Sequence, residues 1–155
     1  QLCEDIRGNL TVYEAVVLMM TALGSLRCHD KSRVIPVGYS MLLILYITLL
    51  RRTPEYNEEI RYHISFLPDV KVWTGNLLNV ILYIPLGGTI YNMAASIKGT
   101  AFAALLSSVL CEIIQYFTHR GVADINDVLF NLIGACAGAL LFRAFRAFKK
   151  KKDLQ

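Results

Sequence analysis

Five runs of apolar residues, separated by polar segments, dominate the chain. A helix needs about 20 apolar residues to cross a bilayer, and about 17 is the lower limit. Each run reaches or approaches that length, so we predict a helical span in each of them: Leu10–Leu26, Val34–Leu50, Asn76–Ile97, Thr100–Phe117 and Val128–Phe142. Amphipathic turns extend the last of these on both sides. The pattern predicts an all-α integral membrane protein, a bundle of about five transmembrane helices that forms one domain over residues 1–155.

The connections between these runs differ in length and composition. The segment Arg51–Gly75 is the longest, and it contains Pro54, Pro68 and equal numbers of basic and acidic residues. We expect it to form a folded loop or a short interfacial helix between spans two and three. The turn between spans three and four is predicted at Lys98–Gly99, where the apolar pattern is interrupted.

The composition agrees with a membrane protein. Hydrophobic residues make up 55% of the chain and charged residues 18%, whereas a soluble domain carries about 25% charged residues. The phosphate-binding glycine patterns of nucleotide enzymes are absent from the sequence. Six of the 16 basic residues lie in the segment Arg143–Lys152, so the net charge of +4 does not indicate a nucleic-acid surface. We therefore expect no nucleic-acid partner.

The positions of lysine and arginine predict the orientation. Cytoplasmic segments of membrane proteins are enriched in these residues, so the tail Lys149–Lys152 should be cytoplasmic, where it would also contact anionic lipids. With five spans, the N-terminus, the Arg51–Gly75 loop and the Thr118–Asn126 loop are then outside. A four-span alternative remains open, in which Leu10–Leu26 lies on the membrane surface and the N-terminus is inside.

Polar residues interrupt the last three runs at spacings of three and four, which place them on one face of each helix. The stripes are Asn76, Asn79 and Tyr83 in span three; Glu112, Gln115, Tyr116 and His119 in span four; and Asp124, Asp127 and Asn131 in span five. All three stripes end at the outer surface in the predicted topology, with Arg120 in the loop between the last two. Charged residues within a membrane are costly, so they face the protein interior and indicate a functional site.

Two interpretations of these stripes remain open. They could form a pocket for a polar group at the outer leaflet, or a hydrogen-bonded staple that fixes helix register. In the pocket interpretation the ligand-binding residues are Asn79, Tyr83, Glu112, Gln115, Arg120, Asp124, Asp127 and Asn131. In the staple interpretation, Asp124 and Asp127 also suit the first turn of a helix, where carboxylates cap the backbone.

Two glycine motifs predict close helix contacts. Gly134 and Gly138 are four residues apart and continue the polar face of span five, so we expect that face to press against span three or four. The segment Pro85–Gly88 predicts a kink in span three, which either opens space beside Asn79 and Tyr83 or serves packing alone.

The sequence gives weak support for an enzyme. Glu112 and Asp127 are the candidate general bases, and Arg120 could hold a phosphate or carboxylate. Ser107 and Ser108 lie about 17 Å before His119 along one helix, too far to form a nucleophile–base pair with it. No metal-ligand spacing is present, and we expect neither a metal nor a cofactor. The balance leans against an enzyme.

Several motifs taken together resemble the VanZ-like family of small bacterial membrane proteins. These are Arg52-Thr53-Pro54, Asn79 through Pro85-Leu86-Gly87, Glu112-Ile113-Ile114-Gln115, Arg120, and Asp124 through Asn131 to Gly134 and Gly138. The resemblance covers about Val34–Phe142. The family commonly has Asp-Ile-Asp-Asp where this chain has Asp124-Ile125-Asn126-Asp127.

The resemblance implies a multi-pass protein of the bacterial plasma membrane that is associated with resistance to lipoglycopeptide antibiotics such as teicoplanin. Its implied partners are membrane lipids and, at the outer surface, a lipid-linked cell-wall precursor or the lipoglycopeptide. Two alternatives remain open: an integral-membrane enzyme that modifies a lipid-linked envelope substrate, and a structural helper of an envelope complex. The sequence does not predict an oligomeric state.

Overall fold

The computed structural model describes residues 34–50, 60–61 and 70–152, together with the single positions 17, 20 and 24. The described elements are α1 (Val34–Leu45), which continues as the π-helical segment Tyr46–Leu50; β1 (Ile60–Arg61); α2 (Val70–Ala94); α3 (Ile97–Thr118); β2 (Ala123–Asp124); and α4 (Ile125–Lys152). The predicted first span, Leu10–Leu26, falls almost entirely outside the described residues.

Three of the described helices are long and apolar enough to cross a membrane. They are α2 from Trp73 onward, α3 and α4, and the apolar stretch Val34–Leu49 forms a shorter fourth helix. These helices coincide with predicted spans two to five. The protein is therefore an all-α membrane protein, and the two strands among its described residues are only two residues long each.

Contacts between helices give their relative directions. Val80 of α2 faces Gly134 of α4, and one turn later Ile84 faces Gly138. The two helices therefore run parallel. The end of the π-helical segment contacts the end of α3, because Gln115 donates a hydrogen bond to the carbonyl of Thr48. A short loop joins the end of α3 to the start of α4. The ends of α1 and α3 therefore lie on the side of the bundle where α2 and α4 begin. We call that side of the bundle the polar end, and the opposite side, where α4 finishes at Lys149–Lys152, the basic end.

Glycines allow α4 to pack against α2, and no other pair of described elements packs as extensively. A Cβ atom on Gly134 would lie 2.2 Å from the carbonyl oxygen of Val80. A Cβ atom on Gly138 would lie 2.0 Å from the carbonyl oxygen of Ile84. Between the two glycines Ala135 is fully buried. The predicted close contact of span five is confirmed, and its partner is span three.

The proline–glycine segment of α2 serves this same interface. The helix continues through Pro85 to Ala94. Gly87 faces α4 so closely that a Cβ atom there would lie 2.0 Å from the carbonyl oxygen of Ala135. Of the two roles considered for this segment, the structure therefore favours packing over an opened space beside the polar stripe.

The turn between α2 and α3 lies earlier than the sequence pattern predicted. Ala95 leaves α2 in the left-handed conformation, with φ 52°. Ser96 then caps α3, because its hydroxyl accepts a hydrogen bond of 3.1 Å from the backbone N–H of Gly99. The prediction of a turn at Lys98–Gly99 was wrong, since both residues belong to the first turn of α3. Serine is a preferred cap residue, and that signal marks the correct position.

At the basic end, α4 continues well beyond the predicted end of span five at Phe142. One guanidinium nitrogen of Arg146 donates to the carbonyl and side-chain oxygens of Asn92 at 3.2 and 2.6 Å. The same guanidinium lies over the ring of Phe142, 5.3 Å from its centroid. Because 28 residues span about 42 Å, α4 exceeds the hydrocarbon core of about 30 Å, and its exposed lysine turn projects from the bundle.

Candidate functional site

A short parallel pairing of β1 and β2 lies at the polar end. Ile60 lies opposite Ala123, and Arg61 lies opposite Asp124. The pairing places Ile60 and Arg61, which belong to the long segment between spans two and three, against the loop between α3 and α4. Both residues therefore lie near the ends of the helices that carry the predicted polar stripes.

Glu112 anchors the beginning of α4. Its side chain is 8% exposed, and Oε2 accepts a hydrogen bond of 2.9 Å from the backbone N–H of Asp124. A carboxylate that accepts from a backbone N–H forms a strong, charge-assisted hydrogen bond. The bond joins α3 to the residue that directly precedes α4.

Asp124 caps α4, as its position in the sequence predicted. Its Oδ1 accepts from the backbone N–H of Asn126 at 2.8 Å and from the Asn126 side-chain amide at 2.9 Å. Since α4 begins at Ile125, Asp124 is the residue whose side chain can satisfy the first unpaired N–H groups. Its negative charge also suits the positive end of the helix dipole.

Asp127 joins α4 to α2. The side-chain amide of Asn79 donates a hydrogen bond of 2.6 Å to Asp127 Oδ1, and both residues are half-buried. One turn deeper, the amide of Asn131 donates to the hydroxyl of Ser108 at 2.8 Å and joins α4 to α3. The polar stripe of span five therefore makes polar contacts with two neighbouring helices, α2 and α3.

Gln115 and Tyr83 are almost completely buried, at 2% and 0% exposure. The amide of Gln115 makes a long contact of 3.4 Å with the carbonyl of Thr48, and its Oε1 has no hydrogen-bond partner among the described residues. The hydroxyl of Tyr83 lies beside Ser107, Ser108 and Cys111 of α3. It makes no well-aligned hydrogen bond within the described ranges.

Arg120 reaches across to the end of the π-helical segment. Its Nη1 donates a hydrogen bond of 3.1 Å to the carbonyl oxygen of Leu49. Arg120 lies in the turn that ends α3. In this turn the backbone of His119 is left-handed, with φ 53°, and the backbone N–H of Arg120 donates to the carbonyl of Gln115. A cation suits the carbonyl end of a helix, so this contact gives Arg120 an anchoring role.

A comparison with models of known protein families gives a match over most of the sequence. The profile of the VanZ/LLP1 family matches residues 12–146. The chain belongs to the VanZ/LLP1 family. Parallel searches of curated proteins and of solved structures return no match. The VanZ/LLP1 region begins at residue 12 rather than at Val34, so it includes most of the first predicted apolar run, and it contains every candidate site residue.

Hydrogen bonds of the predicted site residues of this VanZ/LLP1 protein connect α2, α3 and α4. Glu112 bonds to the backbone of Asp124, Asn79 bonds to Asp127, and Asn131 bonds to Ser108. Among the described residues, no group of three or more histidine, cysteine, aspartate or glutamate side chains is arranged to hold a metal ion.

The sequence analysis missed several partners of these residues. Ser108 was considered only as a nucleophile, although it lies four residues before Glu112 and so shares its helix face. Asn126 was not assigned a role, although it is 5% exposed and bonds to the capping carboxylate of Asp124. The carbonyls of Thr48 and Leu49 were also missed, since backbone acceptors carry no side-chain signal in a sequence.

The contact between Arg120 and Leu49 leads to a prediction for two substitutions. Arg120→Ala should lower the free energy of unfolding by about 1–2 kcal/mol, because it removes a charged donor from a backbone carbonyl. Arg120→Lys should retain most of the stability and activity, since an ammonium can also donate to the carbonyl of Leu49. Thermal unfolding in detergent measures the stability of both variants. Teicoplanin susceptibility measures the activity that the family resemblance implies. If Arg120→Lys is stable but inactive, Arg120 binds an anion bidentately instead.

Proposed function

We propose that this VanZ/LLP1 protein is a non-enzymatic protein of the bacterial cell envelope that lowers susceptibility to teicoplanin-type lipoglycopeptides. In this proposal its polar end binds a polar group of a membrane lipid, a lipid-linked wall precursor or the drug, and so reduces the amount of drug on the envelope. The observation that carries it is the convergence of buried and half-buried carboxylates and amides from separate helices at one end of an apolar bundle. Such residues are costly in a membrane and indicate a functional site.

The proposed topology has five spans, a cytoplasmic C-terminus and an outward-facing polar end. The alternating directions of the described helices support it. The distribution of charge supports it as well, because the exposed lysines Lys98 and Lys149–Lys152 lie at the basic end, and cytoplasmic segments are enriched in such residues. The polar end then faces the cell wall, where lipoglycopeptides act.

The contacts of the two carboxylates support binding over catalysis. Glu112 accepts a bond that fixes the start of α4, and Asp127 accepts one that joins α4 to α2. A general base must be within reach of the substrate proton that it removes. Each carboxylate is instead engaged in holding two chain segments together, as expected for residues that shape a binding surface.

Asp127→Asn tests the proposal while it preserves the shape of the side chain. The amide oxygen of the new side chain can still accept from Asn79, so we expect nearly natural amounts of folded protein. The substitution removes the negative charge, and we expect the minimum inhibitory concentration of teicoplanin to fall to that of cells without the protein. A matched control is Thr118→Val, an isosteric change at an exposed position of the same end.

Two outcomes would argue against this function. Full resistance in an Asp127→Asn strain with a normal protein level would leave Asp127 as a helix connector alone. A change in the mass of lipid-linked wall precursors when the natural protein is expressed would instead support the enzymatic alternative.

A further inference from the structure

Aromatic side chains lie near the polar end on three of the described helices. Tyr46 lies where α1 passes into the π-helical segment, Trp73 lies in the first turn of α2, and Tyr116 lies in the last turn of α3. Tyr46 and Trp73 are 49% and 48% exposed, and Tyr116 is partly exposed. The contact between Gln115 and the carbonyl of Thr48 joins the ends of two of these helices. Each aromatic residue therefore lies within about one turn of the same side of the bundle.

Ring contacts hold two of these aromatic side chains. The indole of Trp73 makes an edge contact with the buried ring of Phe130 in α4, with centroids 6.4 Å apart. Tyr116 makes an edge contact with Phe117, at 5.5 Å, and Phe117 is largely exposed. Tryptophan and tyrosine combine an apolar ring with a polar tip, which makes them frequent at the boundary between a membrane and water.

The distance from these residues to the basic end matches the thickness of a bilayer. Tyr91 follows Trp73 by 18 residues along α2, and Lys98 precedes Tyr116 by 18 residues along α3. At 1.5 Å per residue both separations are about 27 Å, and the hydrocarbon core of a bilayer is about 30 Å thick. No charged residue occurs between Trp73 and Tyr91, and the one between Lys98 and Tyr116 is the buried Glu112. Two helices that run in opposite directions therefore indicate the same apolar layer.

We propose that Tyr46, Trp73 and Tyr116 form an interfacial belt that lies in the lipid headgroup layer at the polar end. Below the belt, exposed side chains such as Leu106 and Leu110 of α3 are apolar and suit contact with acyl chains. The belt itself consists of large aromatic side chains. A helix of another membrane protein would more often pack on small residues, which allow backbones to approach closely. The belt therefore fits lipid better than a protein partner.

The interfacial belt also gives a depth for the polar contacts. Asn79, which bonds to Asp127, lies six residues beyond Trp73, or about 9 Å toward the basic end. Glu112 lies four residues, or about 6 Å, to the same side of Tyr116. These polar groups then lie below the headgroup layer, where hydrocarbon offers no replacement hydrogen bonds. This placement does not depend on the proposed drug-related function.

Trp73 is the single tryptophan of the chain, so its fluorescence reports the level of the belt in the natural protein. The protein is inserted into vesicles of phosphatidylcholine whose acyl chains carry bromine, a contact quencher, either close to the headgroup or near the middle of the bilayer. The matched control is Trp73→Phe combined with Leu106→Trp. It moves the indole to the exposed face of α3, about 15 Å from Tyr116 along the helix.

We expect bromine close to the headgroup to quench Trp73 about twice as strongly as bromine near the bilayer middle, and we expect the reverse order for the control. Equal or stronger quenching of Trp73 from the bilayer middle would overturn the proposal, because the indole would then lie within the hydrocarbon. Quenching by neither lipid would also overturn it, since protein or water, rather than lipid, would then surround the indole.

Discussion

Gly87→Ala is expected to disrupt the interface between α2 and α4, whereas Gly88→Ala, one residue away, should be tolerated. A methyl group on Gly87 would lie 2.0 Å from the carbonyl oxygen of Ala135, and backbone atoms cannot rotate aside as a flexible side chain can. A methyl group on Gly88 would meet the carbonyl oxygen of Gly138 at 3.6 Å, an ordinary contact. Overpacking of a close interface costs about 1–3 kcal/mol, and here two helix backbones would have to separate.

The measurement is the yield of monodisperse protein in detergent, together with its melting temperature. We expect Gly87→Ala to give little folded protein and Gly88→Ala to give nearly natural amounts. Gly138→Ala should behave like Gly87→Ala, since its methyl group would lie 2.0 Å from the carbonyl oxygen of Ile84. Equal stability of the two adjacent variants would mean that α2 and α4 do not approach each other as described.

Glu112→Ala is expected to give the second largest effect, a loss of activity together with a lower folded yield. The substitution leaves the backbone N–H of Asp124 without its acceptor at a part-buried position. An unsatisfied buried polar group costs about 1–3 kcal/mol. Because Asp124 also caps α4, the loss should loosen the start of that helix. Thermal unfolding and teicoplanin susceptibility measure the two consequences.

Two matched variants separate this effect from a general loss of packing. Glu112→Gln keeps an acceptor oxygen and the shape of the side chain, so it should fold nearly as well as the natural protein. Ile113→Ala truncates the neighbouring side chain on the exposed face of α3 and should have little effect. A stable and fully active Glu112→Ala protein would remove this bond from the account of the site.

The apolar runs were sufficient to predict the described helices, because bilayer thickness sets a minimum length for each span. They did not give the last residue of α4. The apolar run ends at Phe142, whereas the helix continues through its lysine-rich turn to Lys152. The turn at Ala95–Ser96 was missed for a related reason, since the apolar pattern was read as continuing past the capping serine.

The faces of the helices could also be predicted, but their partners could not. Spacings of three and four placed Asp127 and Gly134 on one side of α4, and that side does pack closely. Periodicity within one helix does not specify which neighbour lies opposite, so the bond of Asp127 to Asn79 was not anticipated. Arg120 contacts a backbone carbonyl, which any residue type supplies, and no sequence pattern marks such an acceptor.

The amount of fluorescent teicoplanin bound per cell tests the central proposal most directly. The comparison uses cells that express the natural protein, cells that express equal amounts of Asp127→Asn, and cells with neither. The account predicts clearly less bound drug with the natural protein, and equal, higher binding in the other two strains. Equal binding in all three strains would contradict the proposal that the polar end reduces the amount of drug on the envelope.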